Sequence, residues 1–144
     1  ANHLSGPSRT GEELASAILH CMNQAQIQAA DIDIVSTHGT ATIYNDEMES
    51  KALAAAAVTR AEIHSLKSYI GHTLGAAGVI ETIMLAESML RQSSIPTLRY
   101  KKNGVPHELN ISTVSTETHI KYGLKTASGF GGCNAALLLL ANEK

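Results

Sequence analysis

Hydrophobic residues recur along the chain with two spacings, which predict alternating helices and strands. From residue 10 to residue 28 the apolar positions follow a helical period, and Thr10 with Glu13 forms a pattern typical of a capping box. The short stretches 32–38, which is rich in β-branched residues, and 62–66 predict two strands. The first part of the chain therefore predicts a helix followed by two strands, with room for a second helix between them.

That second helix is predicted at residues 46–58, capped by Asn45 or Asp46. A third helix is predicted from about residue 75 to residue 92, starting at small residues suited to close packing. Its wide apolar face contains Val79, Ile80, Ile83, Met84, Ala86 and Leu90.

The C-terminal part of the chain changes character. Residues 93–120 contain proline and glycine breakers, whereas residues 122–143 predict two buried antiparallel strands joined by a Gly-Gly turn. The order α, β, α, β, α, β, β predicts an α/β layered fold. We expect one domain spanning residues 1–144.

Composition excludes several classes of protein. The 144 residues, 44% hydrophobic and 17% charged, fit one globular domain. A formal net charge of −2 without a long basic run argues against nucleic acid or an anionic membrane as a partner. No apolar run reaches the roughly 18–20 residues of a membrane span, and the N-terminal sequence is too polar for a signal peptide, so we expect a cytoplasmic protein. Cys21 and Cys133 have no metal-site or disulfide spacing and are interpreted as packing residues.

Candidate catalytic side chains follow the two predicted strands. His38 ends the first strand, and Lys67 and His72 lie just after the second. Because sites in open α/β sheets gather at the carboxyl ends of strands, we expect these three side chains to converge. A single histidine at a strand end is more often a hydrogen-bonded structural residue. That interpretation is kept for the other five: His3, His20, His64, His107 and His119.

Three motifs resemble those of one enzyme family. "HGTATIYNDEME" resembles the H-G-T-x-T-x-x-x-D-x-x-E motif of β-ketoacyl synthases, and "KSYIGHTLGAAG" is similar to their K-S-x-I-G-H-x-x-x-A-A-G motif. "SGFGGCNAALLL" resembles their G-F-G-G-x-N segment. The motifs occur in the family's order and the resemblance covers essentially the whole chain. It implies the C-terminal half of a condensing enzyme with the thiolase-like fold, a mixed β-sheet with helices packed on it.

The resemblance assigns roles to four polar side chains. His38 and His72 are similar to the two catalytic histidines that donate hydrogen bonds to the thioester carbonyl of the malonyl extender. Lys67 resembles the lysine that fixes the neighbouring histidine, and Glu49 resembles the carboxylate that holds that lysine. The alternative for Glu49 is a solvated charge on a helix.

Three further residues are implied in substrate binding. Thr40 and Thr42 resemble the threonines that bind the phosphopantetheine arm of the acyl carrier protein. Phe130 resembles the gating aromatic beside the nucleophile, and its backbone amide resembles part of the acyl oxyanion hole. The alternative for Phe130 is a core residue. No cofactor beyond this substrate carrier, and no metal, is implied.

The family's cysteine nucleophile is missing, since it belongs to the N-terminal half. The chain is therefore expected to be a fragment of a longer acyltransferase or a piece of a split or degenerate synthase, inactive in condensation by itself. The partners implied are the acyl carrier protein, the N-terminal half and a second copy of the complete enzyme, and we expect the isolated chain to expose an apolar patch. The alternative function is a non-catalytic dimerisation or carrier-docking scaffold.

Overall fold

The fold alternates helices and strands in the predicted order. The computed structural model describes residues 6–142. Its helices are α1 (Glu12–Gln24), α2 (Ile43–Ala55), α3 (Lys67–Ile70) and α4 (Ala77–Arg91), with short 3₁₀ turns at Ala29–Asp31 and Leu74–Ala76. Its strands are β1 (Ile34–Ser36), β2 (Glu62–His64), β3 (Tyr122–Gly129) and β4 (Cys133–Leu140). The four-residue α3 was not predicted and lies in the loop expected after the second strand.

The strands form one mixed sheet in the order β2-β1-β3-β4. β1 runs parallel to both β2 and β3, and β3 pairs antiparallel with β4. The Asp33 carboxylate fixes the start of β3. One of its oxygens accepts hydrogen bonds from the backbone N–H groups of Lys121, at 2.7 Å, and Tyr122, at 2.9 Å. The predicted mixed α/β fold is confirmed.

Helices cover both faces of the sheet and give three layers. Leu14 and Ile18 of α1 and Leu53 of α2 pack against Val35 and Leu124 of the sheet. The opposite face is covered by α4. Its core consists of Ile34, Leu85, Met89 and Ile120.

The ends of two helices differ from prediction because tertiary contacts decide them. Gly11, with φ 76°, is the N-cap of α1, so the predicted Thr10–Glu13 capping box is wrong. A Cβ at Gly11 would lie 2.6 Å from the backbone oxygen of Met48, so only glycine fits where α1 meets α2. Thr42 is the N-cap of α2, and the predicted cap residues Asn45 and Asp46 lie inside its first turn.

Two surfaces predicted to be buried are exposed. Leu137 and Leu140 are 47% and 55% exposed because β4 is the outer strand of the sheet. On α4, Val79, Ile83 and Leu90 are 64%, 57% and 75% exposed. The described chain therefore leaves one apolar face of α4 uncovered. None of the helices within residues 6–142 has the length and apolarity needed to cross a bilayer.

Candidate active site

The two candidate histidines meet at the carboxyl ends of adjacent parallel strands. His38 follows β1, and His72 follows β2 by way of α3. Their ring centroids are 5.2 Å apart, and the ring planes are nearly perpendicular at 81°. The predicted convergence is confirmed, and its cause is the parallel pairing of β1 with β2.

His38 is held so that one ring nitrogen accepts a hydrogen bond. The side chain is buried, and Nδ1 lies 3.2 Å from the Lys67 Nζ atom, which also donates to the His38 backbone oxygen. An ammonium group has no lone pair to accept with, so Nδ1 is the acceptor and the ring proton is on Nε2. His38 therefore presents an Nε2–H donor.

His38 is also kept neutral. Burial is the main cause that lowers its pKa to about 4, and the positive charges of Lys67 and Lys125 act in the same direction. The negative charge of Glu81 opposes them. At neutral pH the ring is thus an uncharged hydrogen-bond donor.

His72 is exposed and held by a different contact. The backbone N–H of Leu74 donates to its Nδ1 atom over 3.1 Å. Because Nδ1 accepts this bond, the neutral ring carries its proton on Nε2. The two histidines therefore offer the same kind of donor, and their ring centroids are 5.2 Å apart.

Glu49 orders the backbone around His38. Only 3% of Glu49 is exposed, so the alternative of a solvated helix charge is wrong. Burial raises the pKa of this carboxyl group, and the groups that donate to it oppose that rise. The donors are His38 N at 2.8 Å, Gly39 N at 2.7 Å, Asn45 Nδ2 at 2.9 Å and Thr126 Oγ1 at 3.0 Å.

This turn requires a glycine. Gly39 has φ 47°, and a Cβ on it would lie 2.2 Å from the Ser65 Oγ atom. The same hydroxyl donates to the Gly39 backbone oxygen over 2.8 Å. The loop after β1 is therefore locked to the loop after β2.

The carboxylate that holds Lys67 is Glu81, not the predicted Glu49. Lys67 Nζ lies 2.6 Å from Glu81 Oε1, and the two side chains are only 7% and 1% exposed. The histidine that Lys67 contacts is His38. The signal in the sequence was a carboxylate inside the apolar stretch "GVIETIML".

A second lysine, Lys125, was also missed. Its Nζ atom lies 2.8 Å from Glu81 Oε2, so a single carboxylate lies between two ammonium groups. Burial opposes ionisation of Glu81, but hydrogen bonds and charge from Lys125 and Lys67 outweigh it and lower the pKa. The signal was a lysine in an otherwise apolar strand, "YGLKTA".

The remaining predicted site residues lie at the surface. The hydroxyl oxygens of Thr40 and Thr42 are 2.7 Å apart. Phe130, in the turn between β3 and β4, is 86% exposed, so its alternative as a core residue is wrong.

Not every histidine behaves as interpreted. His64 is fully buried, and neither ring nitrogen has a hydrogen-bond partner within the described chain. The interpretation of His64 as hydrogen-bonded is wrong, and burial is the main cause that lowers its pKa to about 4. His3 lies outside the described residues.

A cavity of about 290 Å³ lies beside this site. It is lined partly by Gly39, Glu49, Thr97 and Ile111, whereas His38, Lys67 and His72 do not line it. Within residues 6–142, no three His, Cys, Asp or Glu side chains are grouped so that they could hold a metal ion.

Comparisons with known proteins show which family the chain resembles over its length. A family model described as "Beta-ketoacyl synthase, C-terminal domain" matches residues 1–101. The chain is 35% identical over 143 residues to 3-oxoacyl-[acyl-carrier-protein] synthase 2 of Rhizobium meliloti, with 96% of this chain and 34% of that protein covered. It is 34% identical over 145 residues to the polyketide biosynthesis malonyl-ACP decarboxylase PksF of Bacillus subtilis, with 99% and 34% covered.

Solved structures show the same fold. A β-ketoacyl synthase from Burkholderia phymatum superposes with a TM-score of 0.92 at 32% identity, with 99% of this chain and 35% of that chain covered. A type II polyketide ketosynthase complex with its acyl-carrier protein gives a TM-score of 0.91 at 30% identity, with 99% and 36% covered. The chain spans about a third of the length of these relatives.

Proposed function

Because this chain belongs to the β-ketoacyl synthase family and carries its C-terminal domain, we propose that it supplies the decarboxylating half of a condensing enzyme's active site. The complete enzyme would join an acyl thioester to malonyl-ACP in fatty acid, polyketide or polyene synthesis. The observation that carries this proposal is the pair of Nε2–H donors on His38 and His72, whose rings are 5.2 Å apart.

The two donors act on the thioester carbonyl oxygen of the malonyl group. As carbon dioxide leaves, the electron pair of the broken C–C bond moves into the thioester and gives an enolate, whose negative oxygen both imidazoles stabilise. The α-carbon then attacks the acyl thioester, and a thiolate leaves. A neutral His38 suits this role because it binds the developing charge without giving up a proton.

Other site residues support binding and positioning. Lys67 orients His38 through Nδ1. The adjacent hydroxyls of Thr40 and Thr42 are proposed to bind the phosphopantetheine arm of an acyl carrier protein. Phe130, exposed in a turn with glycines on both sides, is proposed as the mobile aromatic beside the nucleophile, and its backbone amide as part of the acyl oxyanion hole.

The nucleophile must come from elsewhere in the complete protein. Cys21 lies within α1 and Cys133 begins β4, so neither occupies the helix N-terminus that favours a thiolate. We propose an N-terminal half as the first partner, a carrier protein as the second and a homodimer as the complete assembly, acting in the cytoplasm. Solved relatives in complex with an acyl-carrier protein or with a chain length factor support such partners.

The test separates the two half-reactions in a protein completed with the missing half. Acyl-enzyme formation and carbon dioxide release from malonyl carrier protein are measured for the parent and for the double substitution His38→Ala/His72→Ala. We expect acylation to continue and carbon dioxide release to be lost, because enolate charge develops only in the second step. Equal release in both proteins would favour the scaffold function.

A second candidate is decarboxylation without condensation. It is favoured by the similarity to a protein named as a malonyl-ACP decarboxylase. The histidine pair alone suffices for that reaction, since no acylated cysteine is needed. Release of carbon dioxide with formation of acetyl carrier protein, and without a condensed product, would identify it.

A further inference from the structure

Lys125 is the least expected charged group in the protein. It lies in the middle of β3 with 3% of its side chain exposed. Its Nζ atom donates to three backbone oxygens, those of Ser36 at 3.2 Å, Thr37 at 3.1 Å and Thr126 at 2.6 Å. Glu81 Oε2 lies 2.8 Å from the same Nζ atom and balances its charge.

These contacts lead to His38 by two routes. Along the backbone, Lys125 holds the carbonyl oxygen of Thr37, the residue directly before His38. Through side chains, Lys125 fixes one oxygen of Glu81, the other oxygen holds Lys67, and Lys67 occupies Nδ1 of His38. Removing Lys125 would leave Glu81 Oε2 without this ion-pair partner. It would also remove the donor to the Thr37 backbone oxygen, just after β1.

We propose that Lys125 is a positioning residue for His38: through Glu81 and Lys67 it keeps the ring neutral, with its proton on Nε2. The inference rests on the proposed function for its catalytic meaning, because a proton on Nε2 is what the thioester oxygen requires. Lys125 itself is enclosed by backbone and Glu81 and is not proposed to contact substrate.

Titratable groups from four elements face His38. Burial is the main cause that opposes a proton on the ring, and the positive groups add to that effect. The charge of Glu81 favours ring protonation, while the Glu49 carboxylate accepts hydrogen bonds from backbone donors. The facing groups are Glu49 of α2, Lys67 of α3, His72 after α3, Glu81 of α4 and Lys125 of β3.

The test uses the 144-residue chain with ¹⁵N-labelled histidine rings, followed by NMR from pH 7 downwards. Lys125→Met keeps an unbranched side chain, one atom shorter, and removes its charge. We expect the His38 pKa to rise from about 4 towards 6.5, with a mixture of tautomers at pH 7. The matched control is Lys101→Met, a substitution at an exposed lysine, which should leave both properties unchanged.

A second substitution tests the side-chain route without touching Lys125. Glu81→Gln keeps the size of the side chain and removes the carboxylate that links Lys125 to Lys67, so we expect a mixture of His38 tautomers at pH 7, as in Lys125→Met. A parent-like Nε2–H tautomer of His38 in Glu81→Gln would overturn the inference. An unchanged pKa and tautomer in Lys125→Met would also overturn it.

The parent chain gives the answer if Lys125→Met does not fold. Burial lowers the pKa of Lys125, and its deprotonation is followed through the ¹³C signal of Cε. The His38 ring signals should change with the same alkaline midpoint, and indifference of His38 to that step contradicts the proposal. None of these measurements depends on condensation, so an inactive completed enzyme with the expected NMR result would refute only the proposed function.

Discussion

The loops that carry the two histidines differ in how they are stabilised. The loop of His38 is buried, and Glu49, Lys67 and Ser65 hold it from three elements. The loop of His72 is exposed, and the Leu74 backbone N–H holds the ring from within the same loop. Tertiary contacts therefore keep His38 as an Nε2–H donor, whereas a contact within its own loop does so for His72.

The loop of His38 is therefore held by more of the surrounding structure than the loop of His72. A buried and charged environment fixes the tautomer of His38, whereas His72 leads into α4, whose outward face is uncovered in this chain. Gly75 and Gly78 at the start of that region have no atom within 4 Å of a Cβ built on them. The expected close packing of these glycines therefore does not occur within the described chain.

Removing either histidine should have the greatest effect of the changes considered, and it tests whether both loops contribute to decarboxylation. In the completed protein, His38→Ala and His72→Ala should each lower carbon dioxide release by about 10²-fold or more, by analogy with removal of one oxyanion donor. His107→Ala, at an exposed histidine, is the control. A parent-like rate in either single variant would show that only one loop supplies a donor.

Acid should weaken the buried loop. The His38 pKa of about 4 in the folded chain is lower than the ordinary 6.5, so the unfolded chain takes up the proton first as pH falls. This contribution to stability is complete above pH 6.5 and is lost between 6.5 and about 4. Urea unfolding at pH 7 and pH 5 should show a loss on the order of 1–2 kcal/mol from this residue.

The matching variant is His38→Asn, which should lose correspondingly less stability between the two pH values. His64, whose pKa is also lowered to about 4 by burial, adds to the loss in both proteins. If parent and variant lost the same stability between pH 7 and pH 5, His38 would not have the lowered pKa that burial and neighbouring charges imply.

Glu49→Gln should destabilise the His38 loop by about 1–3 kcal/mol, because the new amide places a donor against existing N–H or O–H donors. The free energy of unfolding is measured by urea denaturation, and ring NMR signals report the two histidines separately. We expect His38 signals to move more than those of His72. Glu47→Gln, on the same helix, is the control and should change stability by less than about 0.5 kcal/mol.

The uncovered face beside the His72 loop predicts self-association of the isolated chain. Val79, Ile83 and Leu90 form exposed apolar positions on α4. Ile83→Lys should weaken association about tenfold in sedimentation measurements, whereas Val114→Lys, at an exposed apolar residue outside α4, should not. A parent chain that stays monomeric at all concentrations would contradict this prediction.

The smallest effect is expected for the backbone of the exposed loop. Leu74 has φ 53° and is 78% exposed, so Leu74→Gly relieves a left-handed conformation and removes little packing. The gain is offset by the greater freedom of glycine in the unfolded chain, and stability should change by less than about 1 kcal/mol. A larger loss in urea denaturation would show that the leucine side chain holds this loop.

Hydrophobic patterning was enough to predict the order of the longer helices and strands, and the resemblance to known motifs was enough to predict the mixed sheet. Hydrophobic period and β-branched content are local properties, and strand-end placement follows from the parallel topology they imply. The resemblance of "HGTATIYNDEME" and "KSYIGHTLGAAG" to known motifs singled out His38, Lys67 and His72 for the same site.

Which charged groups pair depends on tertiary contacts. Glu49 and Glu81 both lie on helices, and nothing in their spacing shows that Glu49 binds backbone N–H groups while Glu81 holds two lysines. Gly11 likewise replaced a predicted cap because α1 meets α2 there. Ion-pair partners and helix ends depend on contacts between atoms that are far apart in the chain. The spacing of residues along the sequence does not show which of those atoms meet.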